Sequence, residues 1–309
     1  MICVIIIQNI FMTQTMVSVD LMGGLGNQAF QIFTAFAYAI RTNRKLILPY
    51  SDMLTVGIAR NTYWDNLFST LKTFTTINPG CGLSNSDLRD FPTYYEKEFH
   101  HEEIPSVDNE KVKLFGYFQS YKYFEMEKEF IFSFLRLHEK QEQTNTEFNE
   151  LLRDHFHTVS MHFRLGDYKH IQHCHPLMTY EYYEKSFQTI YNKVENAQKT
   201  HNKKPIKVLY FCQEEDNEVV SEMIYKLNVK FRDCGFVKVN DNIPDWKQLL
   251  IMSCCNDNII ANSTFSWWGA YLNGKPGKMV CYPGRWFGPQ LANKDTRDLF
   301  PILWTKIDT

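Results

Sequence analysis

The sequence predicts an α/β protein built from two Rossmann-like halves. Short apolar runs alternate with longer amphipathic ones along the chain, the pattern of α/β units. The rhythm restarts after the polar stretch HEKQEQTNTE at 138–147, and 309 residues suit two domains of about 150 each. The reading places an N-terminal domain at 1–147 and a C-terminal domain at 148–309, facing each other across a cleft.

In the first half, residues 17–22 read as a strand and 23–26 as a tight turn. The segment NQAFQIFTAFAYAIRTN that follows is helical, with Phe30, Phe33, Phe36/Ala37 and Ile40 at spacings of three or four. Residues 45–49 form the next strand. In the second half, 158–164 is a strand and Tyr183, Phe187, Ile190/Tyr191 and Val194 give a helix stripe. ENAQKTHNKKP, 195–205, is a solvated loop. Strands at 207–212 and 235–239, a helix at 245–254, a strand at 258–261 and a helix from about Phe265 complete the pattern.

Composition excludes some functions. A formal charge of -2 gives no field for a nucleic-acid backbone. The opening MICVIIIQNIFM is shorter than the roughly 20 residues of a membrane helix and lacks a signal peptide's basic start and cleavage site. It reads as a strand or a start-site extension, with no membrane span. The eight cysteines contain no C-x-x-C pair, which fits reduced thiols and a cytoplasmic protein.

Gly24-Leu-Gly26-Asn27-Gln28-Ala29 satisfies the G-x-G-x-x-G/A dinucleotide fingerprint between a strand and a helix. An NAD(P)- or flavin-dependent oxidoreductase is therefore one reading, although Asp52 lies farther on than that motif's ribose-binding acid. The bland alternative is a tight strand–helix turn.

VSMHFRLGDY, 159–168, carries more chemistry. Strand alternation puts His162 and Arg164 on one side, with Asp167 on the turn beyond Gly166. A cation, an imidazole and a carboxylate then converge at the carboxyl end of a strand, where open α/β sheets bind ligands. Arg suits a phosphate through its planar fork. A structural Arg164–Asp167 pair with a core His162 is the competing explanation.

In DNIIANSTFSWWGAYLN, 257–273, Asn262, Ser263 and Thr264 supply the N-cap. The N–H groups of roughly 264–267, with Phe265 and Ser266 among them, then point into the crevice of Arg164, and a diphosphate is well served there. Of Trp267 and Trp268, about 100° apart on a helix, one is expected on the sheet and the other along the cleft. His170, His173, Cys174 and His175 crowd one loop without matching ligands elsewhere, so no metal is expected there.

GGLGNQAFQ at 23–31, HFRLGDY at 162–168 and IIANSTFSWWGAYLN at 259–273 together resemble the galactoside α-1,2-fucosyltransferase family, as found in soluble microbial or viral-type members. DWKQLLIMSCCNDN and Pro283-x-x-Trp286-Phe287 extend the resemblance over roughly 17–288. It implies a GT-B type fold and transfer of L-fucose from GDP-fucose, a co-substrate, to the 2-hydroxyl of a galactose-terminated glycan. It also implies inversion at the anomeric carbon without metal or other cofactor. The missing Asp-x-Asp pair agrees with the last point.

By this resemblance the second half holds the donor and the first half the acceptor, with Gly24, Gly26, Asn27 and Gln28 lining the acceptor wall. Arg164 and the helix amides are expected to stabilise the diphosphate; Asp167 and His162 are the nearest candidates for a general base, and a base elsewhere is an equal alternative. Two departures stand out: Leu165 replaces a usual second Arg, and YFCQEED at 210–216 replaces a usual Ser-Asp-Asp. A non-catalytic GDP-sugar-binding protein is the remaining alternative.

Overall fold

A computed structural model describes residues 14–55, 57–197 and 204–309. The expected opening strand within 1–12 and most of the expected loop at 195–205 lie outside the described residues. The chain divides into two compact units, 1–138 with 294–301 and 139–293 with 302–309. The division falls at the start of the polar stretch, not at 147. That stretch is a helix, Leu137–Glu147, whose Gln141 side chain donates to Ser253 Oγ and the Leu272 carbonyl. These bonds tie it to the second unit.

The first unit contains β1 (Met16–Val19), β2 (Lys45–Leu46), β3 (Met53–Leu54), β4 (Arg60–Asn61), β5 (Thr93–Tyr95) and β6 (Lys111–Phe115). Four of these form a sheet in the order β2-β1-β6-β5, all parallel, while β3 and β4 pair antiparallel. The helix Leu25–Thr42 buries the predicted phenylalanines. Phe33 meets Phe124 edge-on at 5.5 Å, and Phe36 meets Phe134 at 5.4 Å. It stops where Asn43 turns left-handed, at φ 52°, a conformation Asn tolerates better than most residues.

The second unit contains β7 (His157–His162), β8 (Ile206–Phe211), β9 (Gly235–Lys238), β10 (Asp257–Ile259), β11 (Val280–Pro283) and β12 (Thr305–Ile307). They form one parallel sheet in the order β12-β11-β10-β7-β8-β9. Counted from β7, this is the doubly wound order 3-2-1-4-5-6 of dinucleotide-binding folds. Its central strands are buried on both faces, as parallel strands covered by helices must be: Val159, Met161, Val208 and Ile259 are all inaccessible. The helix Tyr180–Ala197 lays Tyr183, Phe187, Ile190 and Val194 onto this core. Each unit is thus an α/β fold built on a parallel sheet, as the sequence predicts.

Candidate active site

In the second unit, successive strands run outward in one direction from β7 and in the other from β10. The topological switch point therefore lies between these neighbours, and open α/β sheets bind ligands beyond the carboxyl ends of such strands. The two most specific motifs of the sequence emerge there, one from β7 and one from β10.

After β7, Phe163 N–H still pairs with the Phe211 carbonyl at 2.8 Å, and the chain then turns through Gly166–His170. Arg164 is clamped on three sides. Its Nη2 lies 2.5 Å from Asp167 Oδ1, its Nη1 donates to Gln213 Oε1 at 2.8 Å, and its guanidinium lies 5.0 Å from the centre of the Tyr168 ring. A cation held this way is preorganised, because little side-chain freedom remains to be lost on meeting an anion.

The loop after β8 holds the same turn. Buried Asp216 accepts from Gly166 N–H at 2.9 Å and lies 2.6 Å from Lys169 Nζ. Gly166 has φ 35°, and a Cβ there would come 2.2 Å from Gln213 Oε1. The sequence reading missed Gln213, Asp216, Tyr168 and Lys169. The first two stand in the segment where the resemblance leads one to expect other residues, and nothing local marks them as partners of the turn after β7.

His162 is brought to the same sheet edge but faces inward. It is 7 % exposed, its ring lies 5.5 Å from that of Phe265, and Tyr183 donates to its carbonyl at 3.1 Å. Burial, aided by the Arg164 charge, pushes its pKa down to about 3. His162 is thus a neutral imidazole above that pH.

After β10, Ser263 is the N-cap of the helix Thr264–Tyr271, with extended backbone and no cap bond from its hydroxyl. Trp267 N–H is bonded to the Ser263 carbonyl at 3.0 Å, so Trp267 is not among the donors at the helix start, one residue fewer than expected. Asn262 is buried and serves the scaffold: its Nδ2 donates to the carbonyls of Pro176 and Trp286 at 2.9 and 3.2 Å. Its own carbonyl accepts from Tyr168 Oη at 3.2 Å. The Ser266 hydroxyl turns back to the Ser263 carbonyl at 3.3 Å. Of the expected donor-side residues, Ser263, Thr264 and Phe265 thus stand at the helix start, while Asn262 and Ser266 direct these hydrogen bonds into the protein.

Both tryptophans are core residues, correcting the expectation that one lines a cleft. Trp267 stacks on Tyr271 at 4.7 Å and Trp268 packs edge-on against Trp267 at 5.2 Å. Leu165 is buried in the core cluster of this unit. The histidine loop is also packed rather than converging on one point. His175 stacks on Tyr168 at 4.7 Å, and Cys174 Sγ lies 3.4 Å from Gln290 Oε1. Among the described residues no group of three or more His, Cys, Asp or Glu is placed to hold a metal ion.

Gly24, Gly26, Asn27 and Gln28 lie in the first unit, beyond the carboxyl end of β1. The strained glycine is Gly23, at φ 75°, where a Cβ would approach Asn27 Nδ2 to 2.5 Å; Gly24 has nothing within 4 Å. The positive-φ glycine therefore sits just before the G-x-G-x-x-A pattern. Asn27 Oδ1 accepts from Gln119 Nε2 at 3.1 Å. Gln28 is a correction to the expected acceptor wall. It is buried, and its amide donates to the carbonyls of Gly23 and Asn61 at 3.0 and 2.8 Å. It ties the turn after β1 to β4.

Residues 3–308 match the family model Glycosyl transferase family 11. The chain belongs to this family. Two curated relatives come from Escherichia coli. One is an O-antigen biosynthesis glycosyltransferase, WbnK, 27 % identical over 60 % of this chain and 58 % of its own length. The chain thus spans a little over half of that relative. The other is an alpha-1,2-colitosyltransferase, 27 % identical over 93 % of this chain and 97 % of its own. Among solved structures, a mutant of Arabidopsis thaliana FUT1 in complex with GDP aligns with TM-score 0.47 and 13 % identity, covering 94 % of this chain and 75 % of that one. Membership of a glycosyl transferase family sets aside the oxidoreductase reading of the glycine turn. Among the described residues no helix is long and apolar enough to cross a membrane.

Proposed function

We propose that this chain transfers L-fucose from GDP-fucose to the 2-hydroxyl of a terminal β-galactoside, with inversion and without a metal. The observation that carries the reading is Arg164, clamped beside the start of the helix Thr264–Tyr271 at the switch point of the second unit. A guanidinium and a helix N-terminus at one sheet edge suit the two negative charges of a departing nucleoside diphosphate. They act as preorganised electrostatics on charge that develops as the glycosidic bond breaks.

Inversion is a single displacement. The acceptor oxygen attacks C1 from the face opposite GDP, the C1–O bond to the diphosphate breaks, and the hydroxyl proton leaves to a base. A base must reach that proton and have a suitable pKa. His162 is buried and a weak base, whereas the Asp167 side chain is 41 % exposed. Of the two candidates nearest the site, Asp167 is the one this reading proposes for the role.

The test is thermal unfolding with GDP, GDP-fucose, UDP and NAD added separately, followed by transfer to lactose. A ligand that binds the folded state at 100 times its Kd adds about 2.7 kcal/mol. GDP and GDP-fucose are expected to raise Tm, UDP weakly and NAD not at all, and GDP release is expected to quicken with lactose. Stabilisation by NAD alone overturns the reading. GDP-fucose binding without transfer leaves a sugar-nucleotide-binding protein. The similarity to an alpha-1,2-colitosyltransferase makes a colitosyl donor the second one to try.

A further inference from the structure

At the carboxyl end of the first unit's sheet, three large aromatic side chains face solvent. Tyr95 is 63 % exposed, Phe115 38 % and Tyr117 41 %. An isolated exposed ring needs no explanation, but a cluster does. Tyr95 and Phe115 are register partners on β5 and β6, and their ring centroids are 5.4 Å apart. Tyr117 follows within two residues on a segment with a fixed course, because Glu96 accepts from the N–H groups of Tyr117 and Phe118 at 2.7 and 3.0 Å. No room exists for a side chain at the intervening Gly116, where a Cβ would lie 2.4 Å from Glu96 Cβ. The rings are therefore displayed from backbone positions held by strand pairing and by a carboxylate clamp.

Their surroundings point to one chemistry. In the sheet order β2-β1-β6-β5, the rings sit at the carboxyl end of β6 and of its neighbour β5. The glycine turn leaves β1 beside them: Gln31, on the helix that begins at Leu25, donates to the Gly116 carbonyl at 3.2 Å. Asn27 and Gln119 are joined at that end by the bond described above. Apolar ring faces and two phenol hydroxyls are elements that recognise a pyranose, which presents a C–H face for stacking and a rim of hydroxyls for hydrogen bonds.

We infer that Tyr95, Phe115 and Tyr117 form a stacking platform for a hexose of the acceptor glycan. This deepens the proposed function and rests on it for the identity of the sugar, but the platform itself can be tested without any donor.

The experiment measures saturation transfer from protein to lactose by NMR, with no nucleotide present, for the full chain and for Tyr95→Ala, Phe115→Ala and Phe115→Trp. Initial rates with GDP-fucose and the Tm rise with GDP are recorded for the same proteins. A lactose signal is expected with the parent, none with either Ala variant, and a parental one with Phe115→Trp. The KM for lactose is expected to rise roughly tenfold in the Ala variants, the scale of one ring contact, with the GDP response unchanged. Ala variants that bind and use lactose like the parent overturn the inference. So does loss of the GDP response together with the sugar response, or a change of oligomeric state in place of a change in sugar binding. If GDP fails to stabilise the parent, the donor reading falls, while the NMR series still decides. A lactose signal that the Ala substitutions abolish upholds the platform, and no signal with the parent at millimolar lactose overturns it.

Discussion

The Tyr168 hydroxyl donates to the Asn262 carbonyl at 3.2 Å, joining the turn after β7 to the residue before the N-cap of the helix Thr264–Tyr271. The same ring lies under the Arg164 guanidinium and against His175. Tyr168→Phe removes the hydrogen bond and keeps the ring, so it is expected to cost about 1 kcal/mol of stability and to leave most of the transfer rate. Tyr168→Ala also removes the support under Arg164 and is expected to lower turnover far more. Denaturant unfolding and steady-state rates on the two variants separate the bond from the ring.

Arg164→Ala is expected to lower turnover on the order of 10²-fold or more, the scale of losing a preorganised transition-state donor. Arg164→Lys is expected to recover little, because a point charge cannot bridge Gln213, Asp167 and a phosphate with one planar fork. A folded Ala variant with near-parental kcat removes Arg164 from the mechanism.

His162 makes a prediction about pH. Its pKa falls from 6.5 to about 3 on folding, through burial, so between these values the unfolded chain binds more protons than the folded one. Stability then rises with pH across that window and is lost as pH falls through it. A single fully shifted group contributes a slope of at most about 1.4 kcal/mol per pH unit. Unfolding free energies measured from pH 7 to pH 4 are expected to fall less steeply for His162→Gln than for the parent. Identical slopes would mean that His162 is accessible to protons in the folded protein.

The glycine turn gives a contrast between neighbours. Gly23→Ala forces a side chain into a left-handed residue and toward Asn27 Nδ2, at a cost of about 1–2 kcal/mol from the backbone alone. Gly24→Ala meets nothing within 4 Å and stands at φ -77°, so its Tm is expected to stay close to the parent's. Equal effects at both sites would contradict the turn geometry.

Dialysis against a chelator is expected to leave sugar transfer unchanged, since the proposed leaving-group stabilisation uses Arg164 and the helix start. Activity that vanishes and returns with Zn²⁺ or Mn²⁺ would refute that account.

The α/β pattern was legible where burial imposes a period. The helix Asp245–Cys254 falls where the apolar spacing put it, and β7 to β10 lie within one or two residues of the predicted runs. Four short strands went unread: β5, β6, β11 and β12 carry three to five residues each, and short runs are ambiguous by periodicity alone. The polar stretch 138–147 read as a boundary because solvent-facing helix and linker share a composition. Residue chemistry predicted that Arg164, Asp167 and the helix start meet at one edge, because strand ends fix position in a parallel sheet. It offered a core His162 only as the competing explanation, and it did not predict that Gln28 and Asn262 hold loops together, since partners such as Asn61, Pro176 and Trp286 are set by tertiary structure. Nor could it show that both indoles of the Trp pair find room in one core.

The segment 294–301 belongs with the first unit although it follows most of the second, and Asp298 is what fastens it. Ser120 Oγ donates to the Asp298 carbonyl at 2.7 Å, Lys122 lies 2.6 Å from its carboxylate, and His101 N–H donates to the same side chain at 3.2 Å. During synthesis the N-terminal residues emerge first, and domains tend to fold as they appear. Here Ser120 and Lys122 must wait for a partner 178 and 176 residues further along the chain. The first unit is therefore completed late, and a nascent chain stopped before residue 294 would carry an unfinished fold at its beginning, not only at its end.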